Sequence, residues 1–411
     1  MFESRLRPSS RLAVCSLVLT LIACAHGRGS DAPEPGDGHW VATWAASLQR
    51  SEPESRSLHV AGQTLRQIVH VSLGGNRFRL RLSNAFGTAA LQVGAVHLAL
   101  HGSGPSIVVG SDRSVTFGGS SKVSIPEGAL VVSDPVSLTV PALSELVVSI
   151  YLPDSLNATT VHDAARQTAY LSPAGDFTGA GSLSGPDTAR SWYFLAGVEV
   201  EGPPRSQAIV ALGDSITDGL TSTPDANHRW PDYLAERLNR SRRAVVNAGI
   251  AGNRLLGDLG GPGALARLDR DVLAQPGAGY VILLEGINDV ALEEQEVSSE
   301  QIIAGQRQII LRAHARGLRV IGGTLTPYRG STRFIRYTEA GEQKRDVLNR
   351  WIRSSGTYDG VIDFDQAIRD PSHPTRLLPA FDSGDHLHPN DAGYKAMADA
   401  VDLSLFDVTR D

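Results

Sequence analysis

The strongest constraint in this 411-residue sequence is a change of apolar period at Glu201-Gly202-Pro203-Pro204-Arg205. Before that punctuation the apolar residues come in short alternating runs broken by Gly, Pro, Ser and Asn. After it, apolar runs alternate with helical patterns. A chain with period 2 in one half and a strand-helix alternation in the other cannot build a single uniform sheet or bundle. Two folded parts are expected, over 39–200 and 206–411.

The first part reads as antiparallel β. Ile68–Leu73 and Phe78–Leu82 flank Gly74-Gly75-Asn76, which predicts a hairpin. Further runs stand at Val93–Leu100, Val131–Val132, Ser137–Val140, Leu146–Leu152 and Trp192–Val200, with no amphipathic helix among them. This spacing predicts an all-β sandwich or jelly roll. In the second part, apolar runs at Ala208–Leu212, Ala244–Val246, Tyr280–Leu284, Leu318–Gly323 and Val361–Phe364 alternate with helical patterns at Trp230–Leu238, Gln301–Ala315 and Glu342–Ile352. That predicts an α/β fold, a flavodoxin-like doubly wound parallel sheet of five strands covered on both faces. In such sheets the chemistry lies beyond the strand C-termini.

Residues 1–25 read as an export signal. Arg5, Arg7 and Arg11 precede the apolar stretch Leu12–Ala23, shorter than the roughly 20 residues that cross a bilayer as a helix. The stretch ends in Leu21-Ile22-Ala23-Cys24, which resembles a bacterial lipobox, so Cys24 is the expected lipidation site. Plain cleavage before His26 and a buried N-terminal helix are the other readings. The chain is therefore expected to be exported, as an outer-membrane or periplasmic lipoprotein or a secreted protein. Residues 26–38 read as a linker. Both cysteines, Cys15 and Cys24, fall in the signal, so no internal disulfide is expected after processing. A net charge of −6, from 38 basic and 44 acidic residues, offers no global field for a polyphosphate, and nucleic acid is excluded as a partner.

Reactive residues fall at the predicted strand ends. Ala208–Leu212 runs into Gly213-Asp214-Ser215-Ile216-Thr217-Asp218-Gly219, placing Ser215 on a tight turn. A serine needs a base beside it to act as a nucleophile. Asp385-His386-Leu387-His388-Pro389 supplies one, because an Asp three residues before a His can fold back onto one imidazole nitrogen and leave the other free for the serine proton. Between them lie Asn247-Ala248-Gly249-Ile250-Ala251-Gly252 and Gly286-Ile287-Asn288-Asp289, whose glycine N–H and asparagine amide suit a developing oxyanion. Each residue also has a plainer reading. Ser215 can cap a helix, Asn288 can close a turn and Gly252 can supply a positive φ. Asp385, His386 and His388 can share a metal. His386 is expected to face away from the others, and Asp289 to bond the neighbouring loop. Arg240-Ser241-Arg242-Arg243 reads as a solvated helix end, and Trp40 and Trp44 as core or as sugar platforms. Neither a Gly-x-Gly-x-x-Gly turn nor a Gly-x-x-x-x-Gly-Lys-Ser/Thr loop occurs, so no nucleotide cofactor is supported.

These four blocks, in this order, resemble the SGNH (GDSL-type) serine hydrolases, with Ile216 where the name motif has Leu. The resemblance covers about residues 206–405. It implies Ser215 as nucleophile, His388 as base, Asp385 as the orienting acid, and the Ser215 N–H, Gly252 and Asn288 as the oxyanion hole, with no metal or organic cofactor. Ser222–Asp232 and Thr43-Trp44-Ala45-Ala46-Ser47 further resemble a bacterial subgroup of xylan-associated arylesterases and acylhydrolases. This implies a small-molecule or polysaccharide ester substrate carrying acetyl or another short acyl group. A lysophospholipase or lipase-like acylhydrolase, and a non-enzymatic glycan-binding surface lipoprotein, are the alternatives.

Overall fold

The computed structural model describes residues 38–51, 57–291 and 297–406. The expected export signal and nearly all of the expected linker, with Cys15 and Cys24, lie outside the described residues. From Gly38 to Glu201 the described chain is β structure without a helix. A six-stranded antiparallel sheet runs in the order Asp187–Ala189, Ala169–Ala174, His59–Val71, Ser144–Asn157, Ala95–Leu100, Arg113–Val115. A five-stranded sheet orders Trp40–Ala45, Leu195–Glu201, Gly75–Ser83 and Val136–Val140, and Leu130–Val132 also pairs with Gly75–Ser83. Alternation puts one face of each strand inward, as in Val136–Val140, where Val136, Leu138 and Val140 are buried and Ser137 and Thr139 exposed. Leu65, Val69, Val71, Leu146, Val148 and Ile150 of the larger sheet share one core with Phe78, Leu80 and Leu82 of the smaller.

The hairpin expected around Gly74-Gly75-Asn76 does not form. His59–Val71 pairs with Ser144–Asn157, whereas Gly75–Ser83 pairs with Leu195–Glu201, so the connection crosses between sheets. The corner is fixed by Thr43, which is fully buried. Its hydroxyl accepts from the Leu73 N–H (2.7 Å) and donates to the Leu73 carbonyl (2.8 Å). Its carbonyl accepts from both the N–H and the hydroxyl of Ser72. With its polar groups satisfied by a third strand, the corner gains nothing from folding into a two-residue turn.

Beyond the Gly202–Ser206 turn, five parallel strands stand in the order Arg243–Gly249, Gln207–Gly213, Ala278–Leu284, Arg319–Gly323, Gly360–Ile362. Ala208 to Leu212 are all fully buried, which requires cover on both faces. Helices Trp230–Arg237 and Asp391–Asp399 pack as one pair, and Ser299–His314 and Glu339–Ser354 as another. The last apolar run ends early as a strand, because Asp363 accepts from the Gln366 N–H and starts helix Phe364–Ile368. The basic cluster at 240–243 is not a helix end. That helix stops at Arg237, and Arg243 opens a strand and donates to the Phe406 carbonyl.

Strand Trp40–Ala45 joins the two halves. Val41, Ala42 and Ala45 belong to the core of the parallel-sheet half and Trp44 to the core of the β half, with a bulge between Ala42 and Trp44 that breaks the alternation. Trp44 meets Trp192 edge-on at 4.9 Å and is core, while Trp40 lies under the Arg79 guanidinium. Ser72 Oγ accepts from the Val245 N–H (3.0 Å), satisfying a donor on the edge strand of the parallel sheet. From Gly38 onward the chain clusters as one unit. Thr43→Val keeps the shape of the corner but removes the hydroxyl that serves the partly buried Leu73 N–H and carbonyl, so urea denaturation should show a loss of about 1 kcal/mol.

Candidate active site

Strand Gln207–Gly213 delivers the chain to Asp214, which caps the four-residue helix Ser215–Asp218 by accepting from the Ile216 N–H (2.9 Å). The cap is thus Asp214, and Ser215 is the first helical residue with its hydroxyl free for other work. Ser215 Oγ lies 2.8 Å from His388 Nε2. His388 Nδ1 lies 2.7 Å from Asp385 Oδ2, and Asp385 Oδ1 accepts from the N–H groups of Leu387 (2.9 Å) and His388 (2.8 Å). The Asp-x-x-His segment is therefore a closed turn around its own carboxylate. Since the carboxylate only accepts, Nδ1 carries the hydrogen, and Nε2 presents its lone pair to the serine hydroxyl. Partial burial works to raise the Asp385 pKa. The hydrogen bond from His388, its charge whenever it is protonated, and the two backbone donors outweigh it and hold the carboxyl well below its ordinary range.

Gly252 has φ +76°, a conformation that disfavours a side chain, although a Cβ there would meet nothing within 4 Å. It lies in the turn between Ala251, whose N–H donates to Asp218 Oδ2 (2.9 Å), and Asn253. Asn288, on helix Ile287–Ala291, is buried and donates one amide hydrogen to the Asn253 carbonyl (2.7 Å), leaving a second. Asp289 accepts from the N–H groups of Leu255 (2.7 Å) and Leu256 (3.1 Å) and holds that loop. His386 stands apart, half exposed at φ +62°, and bonds Asp382 rather than the dyad. Among the described residues no group of three His, Cys, Asp or Glu side chains is arranged to hold a metal.

Residues 211–396 match the family described as GDSL-like lipase/acylhydrolase. That domain makes the chain a carboxylic ester hydrolase. No curated protein matches it. Among solved structures, an acetylxylan esterase from Geobacillus stearothermophilus is similar at 23% identity, over 48% of this chain and 93% of that one, with a TM-score of 0.37. The aryl esterase of M. smegmatis is similar at 18% identity, over 47% and 95%, with a TM-score of 0.39. A GDSL-like lipase from Bacteroides thetaiotaomicron is similar at 20% identity, over 50% and 90%, with a TM-score of 0.40.

Several residues of this hydrolase that support the site carry no motif. Arg267, buried on helix Ala264–Leu268, donates to the carbonyls of Gly213 (3.0 Å) and Ala248 (2.7 Å), to Ser47 Oγ (3.0 Å) and to Asn253 Oδ1 (2.9 Å), and pairs with Asp271. Phe334 is half exposed and meets the His388 ring edge-on at 5.3 Å. The polar segment after Ser215 is committed internally. Asp225 accepts from Thr168, Asn227 donates to Glu145, and Thr223 and His228 both bond Asp391. Apart from the Arg267–Asp271 pair, one helical turn apart, none of these contacts has a local signature, because the partners lie 14 or more residues away.

Buried carboxyls also gather beside Ser215. Burial is the main reason that the Asp214 carboxyl is pushed up to about 7; the Ile216 N–H and Arg267 oppose it and Asp289 adds to it. Glu285 is raised as well, by burial and then by Asp214 and Asp289. A carboxyl raised on folding favours the native state while protonated, so its contribution fades as the pH climbs from the unfolded value of about 4 toward the folded one. Asp214→Asn retains the capping oxygen and removes this titration. Its melting temperature should decline less than that of the unmodified chain between about pH 4 and 7 in parallel thermal scans.

Proposed function

We propose that this hydrolase removes acetyl or other short acyl groups from carbohydrate or aryl esters by a Ser-His-Asp acyl-enzyme mechanism. The observation that carries the proposal is the unbroken chain of two short hydrogen bonds from Ser215 through His388 to Asp385, at the C-terminal end of the first parallel strand. His388 takes the Ser215 proton as the oxygen attacks the acyl carbonyl. The oxyanion forms against the N–H groups of Ser215 and Gly252 and the amide of Asn288. His388 then protonates the departing alcohol, and water repeats the sequence to release the acid. Asp385 holds the imidazole in the required tautomer and stabilises its charged form. The strand order, second-first-third-fourth-fifth, supports the flavodoxin-like reading, in which ligands meet such sheets beyond the strand ends.

The alcohol part of the ester leaves beside the base, so it lies toward Phe334, whose half-exposed ring offers a flat apolar wall. That wall favours a sugar or aromatic ring over an open chain. The polar 221–229 segment says less about sugar than its composition suggests, since its side chains are spent on internal bonds. Export with lipidation at Cys24 belongs to the same proposal. Labelling by a palmitate analogue should be lost in Cys24→Ser.

Ser215→Ala should abolish p-nitrophenyl acetate hydrolysis and fluorophosphonate labelling while its melting curve stays put. Asp385→Asn should lower turnover by about 10⁴-fold, the scale of the equivalent loss in serine proteases. Across p-nitrophenyl esters from acetyl to long acyl chains, kcat/KM should be highest for acetyl, and acetylated xylan should release acetate. A preference for long chains would turn the assignment toward a lipase.

A further inference from the structure

His162, on the short strand Thr160–His162 of the β half, reaches across to the nucleophile helix. Its Nδ1 lies 2.9 Å from the Ser47 carbonyl and its Nε2 lies 2.9 Å from Asp218 Oδ1. A carbonyl and a carboxylate both accept, so both ring nitrogens carry hydrogens and the ring is an imidazolium facing an ionised Asp218. The side chains are 4% and 3% exposed. Burial alone would discharge such a ring. The Asp218 charge and hydrogen bond outweigh burial and the repulsion of Arg229, and the His162 pKa is raised. Trp192 packs at 5.4 Å from the ring and is itself fixed by a bond to the Ile68 carbonyl, so the imidazolium is held from the β side.

Asp218 passes this position on. Its second oxygen accepts from the Ala251 N–H, one residue before Gly252. The backbones touch as well, since a Cβ on Gly249 would stand 2.3 Å from the Asp218 nitrogen. Asn253, at the far side of the same turn, takes the Asn288 amide on its carbonyl. One carboxylate therefore sets the turn from which Gly252 projects and against which Asn288 rests.

We propose that His162 is a positioning residue for ester hydrolysis: through Asp218 it fixes the 250–253 turn and so aims the oxyanion donors, which makes the β half part of the catalytic apparatus. The proposal rests on the oxyanion roles given to Gly252 and Asn288 above. Without the imidazolium, Asp218 Oδ1 loses its hydrogen-bonded counter-charge and keeps only the longer-range field of cations such as Arg166. It relaxes by taking a proton or turning away, and its grip on the Ala251 N–H weakens in either case. Misaimed donors weaken binding of the transition state while leaving the ground state bound as before.

The test compares His162→Leu, His162→Gln and Ser215→Ala with the unmodified enzyme on p-nitrophenyl acetate, alongside inhibition by a phenylboronic acid, whose tetrahedral serine adduct places an oxygen in the oxyanion hole. His162→Leu should lower kcat about 10- to 100-fold, less than outright removal of a donor. KM should stay within about twofold, and boronate affinity should fall by the same factor as kcat. His162→Gln, which still donates to Asp218, should recover at least half of the loss on a logarithmic scale. Should His162→Leu not fold, Asp218→Ala carries the same comparison from the other end of the link. A folded variant with unmodified kcat, or a kcat loss unmatched by boronate affinity, overturns the proposal. Activity surviving in Ser215→Ala would instead sink the serine mechanism, so the two failures are told apart in one assay.

Discussion

Parallel strands that end side by side inside a protein leave their last carbonyls facing a space from which water is excluded, and each needs a donor. Here a single guanidinium reaches both, beside the Ile250 N–H that also serves Gly213. Arg267 donates to Gly213, the final residue of the first parallel strand, and to Ala248, near the end of its neighbour. The same group reaches Ser47 of the β half and Asn253 of the turn beyond the second strand. Its charge is met by Asp271, itself held by Arg270, which limits the desolvation cost of burying a cation. The Ser215 turn starts at Gly213 and the glycine turn starts at Gly249, so the spacing between Ser215 and Gly252 is referred to one planar fork. A flexible ammonium would not fix two carbonyls, a hydroxyl and an amide at once.

The β half enters the same construction. Val41, Ala42 and Ala45 fill the parallel-sheet core, Ser47 bridges His162 and Arg267, and the 221–229 segment is tied to Thr168 and Glu145 on one side and to Asp391 on the other. Asp391 follows the His388 turn by three residues, so the segment carrying the imidazole is also braced from the β half. Two regions with distinct hydrophobic periods thus converge on one crevice.

What the sequence made legible follows from how far its signals reach. Buried parallel strands write continuous apolar runs, so Gln207–Gly213 and Ala278–Leu284 were visible within a residue or two. The Asp385–His388 turn was visible because both partners lie within one local loop. Gly74-Gly75-Asn76 misled because the residues that decide between a hairpin and a crossing, Thr43 and the strand Ser144–Asn157, lie far away in the chain. His162 and Arg267 were invisible for a related reason. A lone histidine in a β run and a lone arginine in a helix each look like surface residues until the fold shows that their partners are acceptors with no water to turn to. Phe334 sits on a loop with no period at all.

The strand shared by the two cores has a consequence in time. Trp40–Ala45 is synthesised about 200 residues before the stretch around Val245 that covers one of its faces. Until that stretch has joined it, Val41, Ala42 and Ala45 present an apolar stripe to whatever is nearby. The β half can assemble its own core early, but the stripe stays open, and a chain halted before the second parallel strand would carry an exposed adhesive edge. The order in which the halves are made therefore sets a period of vulnerability that the finished molecule no longer shows.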